Sequence, residues 1–110
     1  MNNKISANVK KLLNQFKTEL TRIYGDELKA VYLYGSHARG EARSDSDIDV
    51  LMILKDDFDY IEMLKRSDDF AASFSLDNDI VISRAFVSDK EYKEKKTPFL
   101  INIRREGVMV

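Results

Sequence analysis

The chain has no cysteine, and this absence excludes both disulfide bonds and metal sites built on thiolates. It also lacks any apolar run near the roughly 20 residues that a helix needs to cross a bilayer. The start, Met1-Asn2-Asn3-Lys4, has no apolar segment typical of an export signal. A membrane location is therefore not expected, and the simplest expectation is a cytoplasmic protein.

An excess of charge of one sign is absent too. With 18 basic and 19 acidic residues the net charge is -1, so no overall field attracts nucleic acid, and direct nucleic-acid binding is not expected. What is present is the composition of an ordinary globular protein, 44% apolar and 34% charged. A length of 110 residues fits one domain, which we expect to span residues 1–110.

The first half of the chain predicts one helix followed by two strands. Apolar residues three and four positions apart form one helical stripe, which should stop at Gly25. Short branched and aromatic runs then predict strands at 30–34 and 47–54. The second of these strands is apolar at successive positions, so both of its faces should be covered. The stripe consists of Ile5, Val9, Leu12, Leu13, Phe16, Leu20 and Ile23.

The second half predicts a helix over about 58–74, a strand over 79–87 and two further helices. A capping box from Ser88 to Glu91 begins the first of these helices. The N-cap pair Thr97-Pro98 begins the last one, which should end near Gly107 with Phe99, Leu100 and Ile103 directed inward. The order helix, strand, strand, helix, strand, helix, helix indicates an α/β protein with a small sheet of three or four strands.

Two carboxylates, Asp47 and Asp49, flank Ile48 at the entrance of the second predicted strand. Residues two apart on a strand share a face, so the two like charges would lie side by side. Either one pKa is then raised or a cation lies between them, and Mg²⁺ prefers such oxygen ligands. From spacing alone, a solvated strand entrance with ordinary surface acids is the open alternative.

Gly35-Ser36 ends the preceding predicted strand. A backbone without a side chain, together with a hydroxyl and exposed N–H groups, suits the outer phosphates of a nucleotide. The alternative is a simple tight turn. The carboxylate pair on the neighbouring strand favours a site for a magnesium–nucleotide complex.

The runs Gly35-Ser36-His37-Ala38-Arg39-Gly40 and Ser46-Asp47-Ile48-Asp49-Val50 resemble the signature of the polymerase-β-like nucleotidyltransferase superfamily. The similarity is greatest to its minimal nucleotidyltransferase (MNT) group, with the pattern GSxARG, a spacer and SDxDhxV. The order of predicted elements agrees along nearly the whole chain. The resemblance implies an α+β core in which a small mixed sheet packs with helices.

The resemblance also implies a reaction, the transfer of a nucleotide from ATP to a hydroxyl with release of pyrophosphate. In such a site Asp47, Asp49 and a third acid would hold two Mg²⁺ ions, and we assign the third position to Asp79, with Asp77 as the alternative. Asp79 could also accept the hydroxyl proton. Gly35 and Ser36 would bind the outer phosphates, and Arg39 would contact phosphate or brace the loop through an acid.

A chain of this length leaves little room for its own acceptor-binding domain. In the MNT group the partner is a HEPN-domain toxin, and the resemblance implies a hetero-oligomeric toxin–antitoxin pair in which AMP is added to a tyrosine of the toxin. Two alternatives stay open. One is a non-catalytic, nucleotide-binding antitoxin or assembly subunit, and the other is a transferase that acts on a small-molecule hydroxyl. We expect His37, Glu41, Arg43 and Asp45 to be loop residues without a catalytic role.

Overall fold

The computed structural model describes residues 5–43 and 45–110. Its elements follow one another with short connections, and a 3₁₀ turn at Gly25–Glu27 links the first helix to the first strand. In chain order the helices and strands are α1 (Ala7–Tyr24), β1 (Leu28–Tyr34), α2 (Ser36–Arg39), β2 (Ile48–Leu54), α3 (Tyr60–Asn78), β3 (Ile82–Ser88), α4 (Asp89–Glu94), α5 (Pro98–Glu106) and β4 (Val108–Met109).

The four strands form one mixed sheet in the order β3-β2-β1-β4. β1 is antiparallel to both β2 and β4, whereas β2 and β3 run parallel and α3 provides the crossover between them. The predicted α/β class with a small mixed sheet is confirmed. Within the described part of the chain, no helix is long and apolar enough to span a membrane.

Helices cover both faces of the sheet. On one face, Phe16 of α1 and Ala71 of α3 lie in one core cluster with Val50 and Met52 of β2. On the other, Leu51 and its neighbours pack against apolar residues of α4 and α5. The central strand β2 is buried on both sides, as its continuous apolar run predicts.

The predicted helix boundaries are confirmed at several caps. The Ser6 side chain accepts the Val9 N–H at 3.2 Å at the start of α1, and Gly25 ends that helix. The capping box from Ser88 to Glu91 is present in both directions. Thr97 caps α5 with Pro98 in its first turn, and Gly107 follows its last residue.

Three predictions at the strand and helix ends are wrong. α3 continues to Asn78, so β3 begins at Ile82 rather than at residue 79. Phe99, expected to face inward, keeps 43% of its surface exposed, while its neighbour Leu100 is buried. The sequence pattern also missed the short helix α2 and the two-residue strand β4, because neither is long enough to show a period.

Candidate active site

The turn after β1 lies against β2. Tyr34, the last residue of β1, pairs with Asp49 of β2, so the next residue, Gly35, is brought to the Asp49 side chain. Gly35 has φ +79° and ψ −157°, a conformation that residues with a Cβ rarely adopt. A Cβ built on Gly35 would lie 2.3 Å from Asp49 Oδ2. The glycine thus permits direct contact between this turn and the carboxylate.

The short helix α2 follows Gly35 directly. The Gly35 carbonyl accepts the N–H groups of Ala38 and Arg39 at 3.1 and 3.2 Å. Gly40, at φ +75°, ends the helix in the left-handed conformation. The first N–H groups of a helix have no acceptor within it, so Ser36 and its neighbour bring donors to the turn that touches Asp49. This arrangement agrees with the predicted anion-binding role of Gly35-Ser36, which stays a prediction.

The two predicted carboxylates lie at the entrance of β2. Asp47 directly precedes the strand and is exposed, while Asp49 is its second residue and is half-buried. Ile48 and Val50 are fully buried on the opposite face, as the alternation of a strand requires. Burial raises the pKa of the Asp49 carboxyl, and the charge of Asp47 raises it further, while His37 and Arg39 act in the opposite direction.

This pair of carboxylates fits a divalent cation. Two hard oxygen donors that repel each other are stabilised by a cation between them, and Mg²⁺ binds to one or two carboxylates together with substrate phosphates and waters. Burial makes the charged form of Asp49 costlier than it would be in water. Asp47 and Asp49 would hold the ion, beside the N–H and hydroxyl groups of the Gly35 turn that are predicted to bind phosphate.

The structure does not bring Asp79 onto the strand. Asp79 is the C-cap of α3, with φ +51°, and its N–H donates to the carbonyls of Leu76 and Ser75. Asp77 lies within the last turn of α3 and is exposed. Among residues 5–43 and 45–110 no three His, Cys, Asp or Glu side chains gather into a metal site. The expectation that Asp79 opens β3, or that Asp77 lies on an extension of that strand, is therefore wrong, because α3 extends through this segment. Asp79 instead lines a cavity together with Asp45 and Ser46, the residue before Asp47, and its role as a ligand stays a prediction.

Arg39 braces the turn, one of its two predicted roles. Its Nε donates to Glu41 Oε1 at 2.9 Å, and its guanidinium reaches Glu106 of α5 at 3.4 Å. His37 Nε2 lies 3.1 Å from the Ser46 carbonyl oxygen and so fastens α2 to the segment before Asp47. These contacts hold the turn and the carboxylates together from both sides.

A cavity beside Gly35 escaped the sequence reasoning. It has a volume of about 350 Å³ between β1, α2 and α5. Phe99 forms part of its wall, edge-on to Tyr34 with ring centroids 5.4 Å apart. The only sequence signal is Phe99, the aromatic residue directly after Pro98 in the first turn of α5, and the helical pattern predicts that it is a core residue. The lining residues are Tyr34, Gly35, Arg39, Phe99, Asn102, Ile103 and Glu106.

Comparisons with known proteins identify the family of the chain. A family model described as "Nucleotidyltransferase domain" matches residues 13–106. A relative from Methanocaldococcus jannaschii, named "Putative protein adenylyltransferase", is 32% identical over 99 residues, which cover 90% of this chain and 95% of the relative.

Solved structures share the fold. A chain of a toxin–antitoxin complex crystallised with AMP-PNP superposes with a TM-score of 0.60 at 20% identity, covering 86% of this chain and 69% of that one. A complex of a tri-AMPylated Shewanella oneidensis HEPN toxin with its MNT antitoxin gives a TM-score of 0.57 at 18% identity, covering 91% of this chain and 69% of its counterpart. The chain belongs to the nucleotidyltransferase domain family.

Proposed function

We propose that this nucleotidyltransferase transfers AMP from ATP to a hydroxyl group of a partner protein, through a site made of the Gly35 turn and the carboxylates Asp47 and Asp49. One observation carries the proposal. Gly35 packs so closely on Asp49 that a Cβ would lie 2.3 Å from its carboxylate oxygen. The hydrogen-bond donors proposed for the phosphates and the carboxylates proposed for the cation are therefore adjacent, as binding of one metal–nucleotide complex requires.

In this proposal the described side chains bind and orient. The Ser36 hydroxyl and the backbone N–H groups after Gly35 hold the outer phosphates of ATP. Asp47 and Asp49 would hold Mg²⁺, which would neutralise phosphate charge and polarise the α-phosphate. Arg39 keeps the turn in place through its contacts with Glu41 and Glu106.

The reaction consists of one displacement. The acceptor oxygen forms a bond to the α-phosphorus as the bond to pyrophosphate breaks, and the acceptor proton leaves to solvent or to a nearby base. No covalent intermediate on Ser36 is required. Rate enhancement comes mainly from positioning and from charge neutralisation.

We propose a HEPN-domain toxin as the partner and a tyrosine hydroxyl as the acceptor, with this chain as the antitoxin of a hetero-oligomeric pair. The support is the likeness in fold to the MNT antitoxin that is bound to a tri-AMPylated HEPN toxin. The name of the M. jannaschii relative indicates the same type of reaction. A reaction that consumes ATP favours the cytoplasm.

The test is intact-mass spectrometry of the product of the neighbouring gene, the candidate partner, after incubation with the chain, ATP and Mg²⁺. We expect an AMP-sized mass gain in the partner, lost with Asp47→Asn or Asp49→Asn. Asp56→Asn is a matched control, because it removes an exposed carboxylate just beyond the other end of β2 and should leave the mass gain intact.

Two results would contradict the proposal. One is partner inhibition without ATP that is unchanged in both site variants, which would indicate a non-catalytic antitoxin. The other is AMP transfer to a small-molecule hydroxyl in the absence of any partner, which would indicate a transferase of a different substrate class.

A further inference from the structure

We propose that this chain binds one divalent cation together with its nucleotide, rather than two, because Ser83, the β3 residue paired with Asp49, supplies no third carboxylate. The inference rests on the proposed function and specifies its metal content. It departs from the two ions that the family resemblance implies.

The strand register places Ser83 beside Asp49. β2 and β3 are parallel, and Asp49 pairs with Ser83 in the sheet. Paired residues of neighbouring strands lie about 4.8 Å apart and direct their side chains to the same face. The packing confirms the shared face, since Leu51 of β2 and Ala85 of β3, each two residues further on, lie in one apolar cluster. Ser83 is thus the β3 residue closest to Asp49 on the side of the carboxylates.

No other strand neighbour supplies an acid. On the opposite side of Asp49 the paired residue is Tyr34. Before Ser83 on the same face comes Val81, whose carbonyl accepts the Ile48 N–H at 2.9 Å. Within the described ranges, 5–43 and 45–110, no group of three potential ligands forms. The pair Asp47 and Asp49 therefore stands without a third carboxylate from the sheet.

Asp79 belongs to the end of α3 and not to β3, although it lines one cavity with Asp45 and Ser46 just before Asp47. As the C-cap residue it adopts the left-handed conformation, and the next residue, Ile80, donates its N–H to the Ser75 carbonyl at 3.1 Å. This hydrogen bond and those of the Asp79 N–H group close the end of the helix. They could not form if Asp79 were an extended residue at the start of β3. Its carboxylate therefore has no strand position beside Asp49, and within residues 5–43 and 45–110 it does not form a group of three ligands with the pair.

Ligand chemistry then limits the ion count. Mg²⁺ is commonly held by one or two carboxylates together with substrate phosphates and waters. Asp47 and Asp49 supply the carboxylates for one such ion. A second ion beside the first adds repulsion that further anionic oxygens must offset, and the neutral Ser83 hydroxyl adds no charge. The acceptor also receives no proton-accepting carboxylate from β3. A phenol, with an ordinary pKa of about 10, suits such a site better than an aliphatic hydroxyl.

Manganese provides the direct test. The number of Mn²⁺ ions bound per chain is measured by electron paramagnetic resonance in the presence of a saturating non-hydrolysable ATP analogue. We expect one ion in the wild type and two in Ser83→Asp, which places a carboxylate next to Asp49. In Ser83→Asn the side chain has nearly the same shape as in Ser83→Asp but carries no charge, so this variant should bind one Mn²⁺ ion.

Asp79→Asn is the second arm of the experiment. Asparagine tolerates the left-handed conformation that Asp79 adopts, so this variant should fold and still bind one ion. Two ions in the wild type, loss of an ion in Asp79→Asn, or a folded Ser83→Asp that binds only one would each overturn the inference and leave the proposed reaction intact. No ion in the wild type would instead refute the proposed site itself.

Discussion

Replacing Gly35 with alanine tests whether the close contact with Asp49 is what shapes the site. The new Cβ would lie 2.3 Å from Asp49 Oδ2 and 3.2 Å from its Cγ. A side chain at φ +79° costs about 1–3 kcal/mol in backbone strain. Moving Asp49 out of its rotamer adds about 0.5–1.5 kcal/mol. We therefore expect Gly35→Ala to lower the free energy of unfolding by roughly 2–4 kcal/mol.

Two comparisons separate the backbone cost from the contact with Asp49. Gly25 also has a positive φ, +57°, but a Cβ there meets nothing within 4 Å, so Gly25→Ala should show the backbone cost alone. In an Asp49→Ala background the carboxylate is gone and the nearest remaining Asp49 atom, Cβ, is 3.5 Å away, an ordinary contact. Gly35→Ala should then cost no more than Gly25→Ala.

The assay is urea unfolding of the wild type, the three single variants and the Gly35→Ala/Asp49→Ala double variant. A coupling energy of about 0.5–1.5 kcal/mol between Gly35 and Asp49 is expected. Nucleotide binding in the presence of Mg²⁺ should be lost in Gly35→Ala and kept in Gly25→Ala. Equal costs of Gly35→Ala in both backgrounds would refute the reasoning, since the carboxylate would then play no part.

Three further predictions concern the charges and the core. Because burial and Asp47 raise the pKa of Asp49, the charged form of this carboxyl is less stable in the folded state than in the unfolded chain. Asp49→Asn should therefore raise the Tm of the metal-free protein near neutral pH. The difference in Tm between variant and wild type should disappear as the pH falls below the ordinary pKa of an aspartate, and a difference that grows in acid would contradict this. Arg39→Ala removes an exposed brace to Glu106 and should leave the midpoint of urea unfolding nearly unchanged, whereas a clear fall in that midpoint would show a stronger role. Tyr24→Phe removes a buried hydroxyl that lies 2.6 Å from the Met63 carbonyl oxygen and 2.7 Å from Ser67 Oγ. Urea unfolding should show a free energy of unfolding that is lower by about 1–3 kcal/mol, and an unchanged value would show that these hydrogen bonds do not stabilise the fold.

Most of the fold follows from local chemistry that can be seen in the sequence. The apolar stripe of α1 and the caps at Ser88 and Thr97 act within a few residues, and each predicted boundary is confirmed. The continuous apolar run of β2 correctly indicated a central strand. For the same reason the adjacency of the Gly35 turn and the carboxylates could be expected, since the two strands follow one another in the chain.

The position of Asp79 could not be predicted in this way. Its residue type and the branched residues after it are compatible both with a strand start and with a helix end. The choice depends on α3, which packs on the core through Ala71 and Phe74 and continues to Asn78. Register was equally hidden, since only the pairing of β2 with β3 shows that Ser83 stands beside Asp49.

Labelled ATP tests the central claim most directly. The partner protein is incubated with the chain, Mg²⁺ and ATP that carries radioactive phosphorus at either the α or the γ position. A nucleotidyltransferase leaves the α-phosphate on the acceptor and releases the γ-phosphate in pyrophosphate. We predict incorporation of the α label, absent with Asp49→Asn, and no incorporation of the γ label. Transfer of the γ label, or equal α labelling with Asp49→Asn, would contradict the account.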